Sequence, residues 1–183
     1  MTSHDVVNIL RRILNMKKIG HTGTLDPDVT GVLPICLGKA TRLAEYIQND
    51  SKTYEGRLKF GVKTDTQDLS GKIIQTSSLI PTIADINNIR EKYMGEIMQV
   101  PPMYSAVHHD GVRLYELARQ GLTIERPARK VFIYNLEFKN YEYPYLSFLC
   151  ECSKGTYVRT LVEDIGDQLE ALASLERLVR TKV

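Results

Sequence analysis

The sequence predicts an α+β fold, and three observations predict it. Helical spacing opens the chain at Val6, Ile9, Leu10, Ile13 and Leu14 and returns at Ile83, Ile86 and Ile89. Two-residue alternation marks strands over Lys52–Gly61, Lys130–Lys139 and Tyr145–Cys152. The length, 183 residues, suits one compact domain, 1–183, with an insertion at about 100–130. Helices packed against a sheet are the layers such a mixture supports.

The elements follow in order. Ser3 is expected to cap the first helix, with Asp5 in its first turn, where an acid suits the helix dipole. Lys17 and Lys18 stand at its far end, and the chain then enters a Gly-rich loop. Val32–Leu37 is short and apolar and is expected to be buried. Ala40–Ile47 has helical spacing, with Leu43, Ala44 and Ile47 on one face. In Lys52–Gly61, Tyr54, Gly56, Leu58 and Phe60 alternate with Glu55, Arg57 and Lys59, the pattern of a half-buried strand. Asp65–Gly71 reads as a polar turn and Lys72–Thr76 as a second strand. Pro81-Thr82 opens a helix that closes near Gly95.

Gln99–Lys130 is irregular, punctuated by Pro101-Pro102, His108-His109-Asp110-Gly111 and Gly121, with a short helix over Arg113–Gln120. Tyrosines and arginines in such a stretch suit a surface insertion that clamps a ligand. After the last strand pair, 154–160 turns into a helix over Leu161–Leu169. Ala171–Val183 is amphipathic, with Leu172, Leu175 and Leu178 apolar and Arg177, Arg180 and Lys182 basic.

Composition narrows the classes. The apolar fraction is 43% and the charged fraction 25%, ordinary for a globular protein. Net charge is only +2, so composition alone does not predict a polyanionic partner. Its distribution says more: residues 1–63 carry ten Lys/Arg against six Asp/Glu, and 101–130 carry five against three. A basic bias near a Gly-rich loop fits a phosphate-bearing ligand. The three cysteines, an odd number with no secretory signal, predict reduced thiols in the cytoplasm. Cys150 and Cys152 are expected on opposite faces of their strand, and no ligand spacing predicts zinc. No apolar run approaches the roughly 20 residues that span a bilayer.

The chemistry centres on Gly20-His21-Thr22-Gly23-Thr24-Leu25-Asp26-Pro27, continuing through Gly31-Val32-Leu33-Pro34 to Gly38-Lys39-Ala40-Thr41. Pro27 bars Asp26 from helical backbone, so the carboxylate is expected on a stiff loop at one orientation. The loop lacks the third glycine and the lysine of a phosphate-binding loop, and no Ser-His-Asp order is present. A lone carboxylate can serve as a nucleophile on an electron-poor carbon, best when a cation orients it and keeps it ionised. Arg159, at a strand-to-helix turn, is the candidate cation. Tyr54, projecting from a strand, is the candidate platform for a flat base.

These segments resemble the TruB family of tRNA pseudouridine synthases. The Gly20–Thr41 run resembles its catalytic motif, and Lys52-Thr53-Tyr54 its uracil-stacking tyrosine motif. Val100-Pro101-Pro102-Met103-Tyr104-Ser105-Ala106, with Leu114-Tyr115-Glu116 and Ala118-Arg119, resembles its thumb insertion. Cys152-Ser153-Lys154-Gly155-Thr156-Tyr157-Val158-Arg159 resembles its arginine motif. The resemblance implies a pseudouridine synthase fold: a mixed, mainly antiparallel sheet with flanking helices and a central cleft. It implies a cytoplasmic enzyme, expected as a monomer, that isomerises a uridine in the TΨC loop of tRNA without cofactor or metal. Asp26 would be the nucleophile and Arg159 its partner. Tyr54 would stack on the flipped uracil and take part in proton transfer, Tyr157 and Leu175 would line the base pocket, and His21 would pack where the extruded nucleotide leaves its loop.

Two alternatives stand beside this. One is the catalytic subunit of a guide-RNA-directed modification particle, against which the thumb-like segment argues. The other is a tRNA-binding or folding protein with little catalysis. The family pattern also has a Lys-Pro-x-Gly segment ahead of Thr2-Ser3, about three residues of a Gly-Cys turn between Glu170 and Ala171, and in many members a C-terminal PUA domain. None of these is in this sequence. The first packs behind the catalytic loop, so activity without it is expected to suffer.

Overall fold

A computed structural model describes residues 1–48 and 51–183, with only the backbone of Ile47 and Gln48. Helix α1 (Ser3–Ile13) leads to strands β1 (Ile19–His21), β2 (Thr30–Gly31) and β3 (Ile35–Leu37), then a 3₁₀ segment over Gly38–Leu43 and α2 (Ala44–Gln48). There follow β4 (Lys52–Phe60), β5 (Val62–Thr64), β6 (Ile73–Thr76), α3 (Ile83–Lys92) and β7 (Gly95–Gln99). The chain continues through β8 (His108–His109), β9 (Val112–Arg113), α4 (Leu114–Arg119), β10 (Arg129–Glu142), β11 (Tyr145–Cys152), α5 (Val158–Gln168) and β12 (Ala173–Lys182). The expected side-chain placement of Ile47 lies outside the described residues.

Six strands form the main sheet in the order β2-β12-β4-β11-β10-β7. Only the β12–β2 pair is parallel, so the sheet is mixed and mainly antiparallel, as expected. One core spans Leu58 and Phe60 of β4, Ile133 and Leu136 of β10, Leu146 and Phe148 of β11, and Leu161, Val162 and Ile165 of α5. Ile86 and Ile89 bring α3 onto the same core.

Several local expectations are corrected. Thr2, not Ser3, caps α1: its hydroxyl accepts from the Asp5 amide while Asp5 reaches back to the Thr2 amide, a capping box that requires Asp5 at the third helical position. Cys150 and Cys152 share a face, because residues two apart in a strand do so, and both are buried in the core. Val32 and Leu37 are exposed, while Cys36 between them is buried. The β1–β3 ribbon offers only one face to the interior. The helix α3 ends at Lys92, close to Gly95 as expected, and the strand β7 that follows, which the sequence reading lacks, pairs with β10.

The terminal segment is a strand inside the sheet, between β2 and β4. Its leucines at three-residue spacing are reconciled by a bulge. Leu175 opposes Leu58 and Arg177 opposes Arg57, so Glu176 is the extra residue, and Leu175 and Leu178 both turn inward.

Candidate active site

The Asp26 loop runs from β1 to β2 and is tied down on three sides. Asp26-Pro27-Asp28-Val29 forms a turn closed by the Val29 amide donating to the Asp26 carbonyl at 3.0 Å, with proline at its favoured second position. Ser3, freed from capping, accepts the Leu25 amide at 2.9 Å and donates to the Leu25 carbonyl at 3.4 Å. At the far end Gly31 has φ +114°, and a Cβ there would lie 2.1 Å from the Arg180 carbonyl oxygen. Only glycine lets β2 approach β12 so closely.

Arg159 comes from the first turn of α5, which begins three residues earlier than its apolar spacing predicts. It is 5% exposed, and each nitrogen of its fork has a partner. Nε donates to Asp26 Oδ2 at 2.8 Å, Nη1 to the Thr66 carbonyl at 2.8 Å and Nη2 to the Tyr104 carbonyl at 3.0 Å. Asp68 Oδ2 stands 3.9 Å from Nε and adds a second negative charge. Burying a cation is costly, and here the cost is offset because each guanidinium nitrogen has a partner and two carboxylates stand close by. The Asp26 side chain stays 45% exposed. The carboxylate is therefore oriented by a fixed cation yet open to a reactant, the arrangement a nucleophile needs.

The turn that supplies the Thr66 carbonyl is docked by the Leu69 amide on the Leu175 carbonyl, 2.9 Å, and the Leu175 amide on the Gln67 carbonyl, 2.9 Å. On the other side, the insertion forms the β8–β9 hairpin and α4. It is closed on itself by the Leu114 amide to the Val107 carbonyl and the Tyr115 amide to the Ser105 carbonyl. It walls a cleft of about 1010 Å³ in which His21, Asp26, Tyr104, Arg113, Tyr115, Arg119 and Arg159 appear together. The guanidinium groups of Arg113 and Arg119 lie 5.9 and 5.3 Å from the Tyr115 ring centroid.

Behind Asp26 opens a smaller cavity of about 110 Å³, lined by Tyr54, Tyr157, Arg159, Leu178 and the loop residues Thr24–Asp26 and Val29. Its scale is that of one planar ring, since apolar cavities of roughly 150 Å³ accept benzene. Burial pushes the Tyr54 phenol up and the nearby Cys152 adds to this, while Arg180 opposes both. Burial lowers the His21 imidazole, with His4 and Arg180 reinforcing, which keeps it neutral at pH 7.

The structure thus brings Asp26, Arg159, Tyr54 and Tyr157 around one small cavity, with His21 in the outer cleft. Leu175 lines the outer cleft but not the small cavity, whereas Leu178 lines both. The bulge at Glu176 explains this, because it lets a second leucine face the site. Three supporting residues escape the sequence reading: Gln99, whose side chain grips the Tyr157 backbone, Ser3 in its clasp on Leu25, and Arg180. A glutamine between Met98 and Val100-Pro101 carries no local signal of its partner 58 positions away. Among the described residues, no group of three or more His, Cys, Asp or Glu is placed to hold a metal, and no helix is long and apolar enough to cross a membrane.

The fold is that of the pseudouridine synthases. A family model described as TruB family pseudouridylate synthase (N terminal domain) matches residues 11–158. The chain belongs to this family. It is 48% identical over 183 residues to tRNA pseudouridine synthase B of Clostridium tetani, covering all of this chain and 63% of the relative. It is 50% identical over 189 residues to that of Geobacillus thermodenitrificans, covering 99% of this chain and 63% of the relative. The chain thus spans somewhat under two thirds of these relatives. Among solved structures, a chain in the crystal structure of a Cbf5-Nop10-Gar1 complex superposes with a TM-score of 0.76 at 32% identity, covering 100% of this chain and 45% of that one.

Proposed function

We propose that this chain is the catalytic part of a tRNA pseudouridine synthase acting on a uridine of the TΨC loop, in the cytoplasm and as a monomer. The observation that carries the reading is the Arg159–Asp26 pair at 2.8 Å, which faces a ring-sized cavity beside Tyr54. Isomerisation exchanges the N1–C1′ bond of uridine for a C5–C1′ bond and moves one proton from C5 to N1. It balances without an oxidant, reductant or added group. In this reading Asp26 attacks C1′ and displaces N1, freeing the uracil to turn within the pocket; C5 then bonds to C1′, which releases the Asp26 carboxylate, and the C5 proton passes to N1. Tyr54 stacks on the ring, with its hydroxyl near the proton transfer. Tyr157 and Leu178 close the pocket, and Leu175 shapes its outer approach.

The target atom is hidden in a folded loop, so the base must be flipped out at a cost of a few kcal/mol, offset by stacking in the pocket. The insertion at about 100–130 fits a thumb, whose Arg113 and Arg119 would meet phosphate and make binding salt-dependent. Identity of 48% and 50% to tRNA pseudouridine synthase B relatives, against 32% to the Cbf5-complex chain, favours tRNA over a guide-directed particle. The test compares the chain with Asp26→Asn on an unmodified tRNA transcript. Conversion of the TΨC-loop uridine by the parent alone is expected. Tight tRNA binding without conversion by either protein would leave the binding-only alternative in its place.

A further inference from the structure

Arg180 is 2% exposed, and it is the largest fully buried side chain among the described residues. Among the described residues, no carboxylate is hydrogen-bonded to it. Instead its Nε donates to the Val32 carbonyl at 2.9 Å and its Nη2 to the Gly23 carbonyl at 3.1 Å. Its own carbonyl accepts the Val32 amide at 2.8 Å. Gly23 and Val32 bracket Asp26, so one guanidinium grips both ends of the loop that carries the carboxylate. In the β12–β4 register, Arg180 stands directly opposite Tyr54, and side chains so paired share a face and touch. A buried cation without a counter-ion is costly, and packing alone does not call for one in this place.

We propose that Arg180 is a positioning residue that holds the Asp26 loop and the Tyr54 ring in one frame, so that nucleophile and stacking platform keep a fixed separation. The inference rests on the proposed function for its kinetic consequence, but not for its geometry. The same cation also opposes the upward push of burial on the Tyr54 phenol. Lysine cannot reproduce the frame, because a single ammonium lacks the planar fork that spans the Val32 and Gly23 carbonyls.

The test uses Arg180→Lys and Arg180→Met in the full chain, with two readouts. In single-turnover conversion of a tRNA transcript, normalised to folded protein by circular dichroism, both variants are expected to lose about 10²-fold in rate, the scale of a small misplacement of reacting groups. Their tRNA affinity should stay within about threefold, since Arg180 is buried away from phosphate. In ¹³C-tyrosine NMR, with Tyr54→Phe supplying the assignment, the Tyr54 phenol should titrate higher in Arg180→Met than in the parent, with Arg180→Lys between. A structural role alone would lower the folded fraction and leave both readouts unchanged per folded molecule, and that result would overturn the proposal. If the parent chain itself makes no pseudouridine, the proposed function fails, and the NMR titration still decides for or against Arg180.

Discussion

The Gln99 side chain holds the backbone of Tyr157 at both ends, accepting its amide at 2.7 Å and donating to its carbonyl at 3.1 Å. Gln99 is 2% exposed and ends β7, while Tyr157 is the N-cap of α5. With no side-chain cap of its own, the start of α5 is set by the end of β7, 58 positions earlier in the chain. Arg159 follows two residues later. Gln99→Leu fills the space but leaves the Tyr157 amide unpaired, while the Tyr157 carbonyl keeps the Leu161 amide at 3.0 Å. It should lower unfolding free energy by about 1–3 kcal/mol and reduce conversion per folded molecule. Urea denaturation and single-turnover assays check the two effects. Asparagine is one methylene too short to span both bonds and should not rescue the rate.

Arg159 offers a sharper separation of charge from geometry. Arg159→Lys keeps the cation beside Asp26 but cannot also serve the Thr66 and Tyr104 carbonyls, which the fork reaches at 2.8 and 3.0 Å. Stability should fall by roughly 1.5–3 kcal/mol, the range for hydrogen bonds to a charged group. Activity should fall at least about 10²-fold, because the insertion and the 65–71 turn lose their common anchor as the carboxylate loses its orientation. Thermal unfolding and conversion assays at saturating tRNA measure both. A lysine variant with parental rate would show that charge alone suffices.

How much of this was legible in the sequence depends on the range over which each feature is encoded. Asp26, Pro27 and the glycines around them are local, and they set the tight turn at Asp26–Val29. The period-two strands β4, β10 and β11 were readable for the same reason. The Cα pairing of Arg180 with Tyr54, the reach of Gln99 to Tyr157 and the Ser3 clasp on Leu25 join residues far apart in sequence, and no local pattern announces them. Leu178 was hidden by a bulge. A strand's alternation predicts faces only until an extra residue resets it, and Glu176 does so between the two leucines. Short β5 and β7 failed for want of length, since three to five residues carry too little periodicity.

The passage from α5 to β12 contains backbone that its residues do not favour. Glu170 and Leu172 have φ of +55° and +51°. The amides of Ala171 and Leu172 both donate to the Gly166 carbonyl, at 3.1 and 3.0 Å, folding the chain back tightly. A Cβ on Gly166 would lie 2.2 Å from the Ala173 nitrogen, so the helix ends against the turn itself. Left-handed backbone costs a non-glycine residue about 1–2 kcal/mol, part of which glycine returns as chain entropy. Glu170 is exposed, so Glu170→Gly should stabilise by about 0.5–1 kcal/mol. Leu172 is 7% exposed, and its glycine variant loses apolar burial worth more than the strain relieved. Leu172→Gly should therefore destabilise. Paired melting curves test the opposite signs.

Asp164 on α5 gives a pH dependence separate from catalysis. Burial pushes its carboxyl up to about 6, and Glu163 and Asp167 add to this while Lys63 opposes. Lys63 is already committed, 2.6 Å from Asp167 and 3.7 Å from Glu163. A carboxyl whose pKa is higher in the folded state binds protons more tightly there than in the unfolded chain. Stability from this group is thus fully present below about pH 4 and is lost as pH rises through about 6. Asp164→Asn removes the ionisation and keeps the shape. At pH 7.5 it should be more stable than the parent by roughly 1–2 kcal/mol, a figure reduced for the solvent that reaches this partly exposed group. Below pH 4 the advantage should vanish, because the parent is then neutral at this position too. Denaturant midpoints at pH 4, 6 and 7.5 test this, and parallel stability curves for the two proteins would count against a strained Asp164.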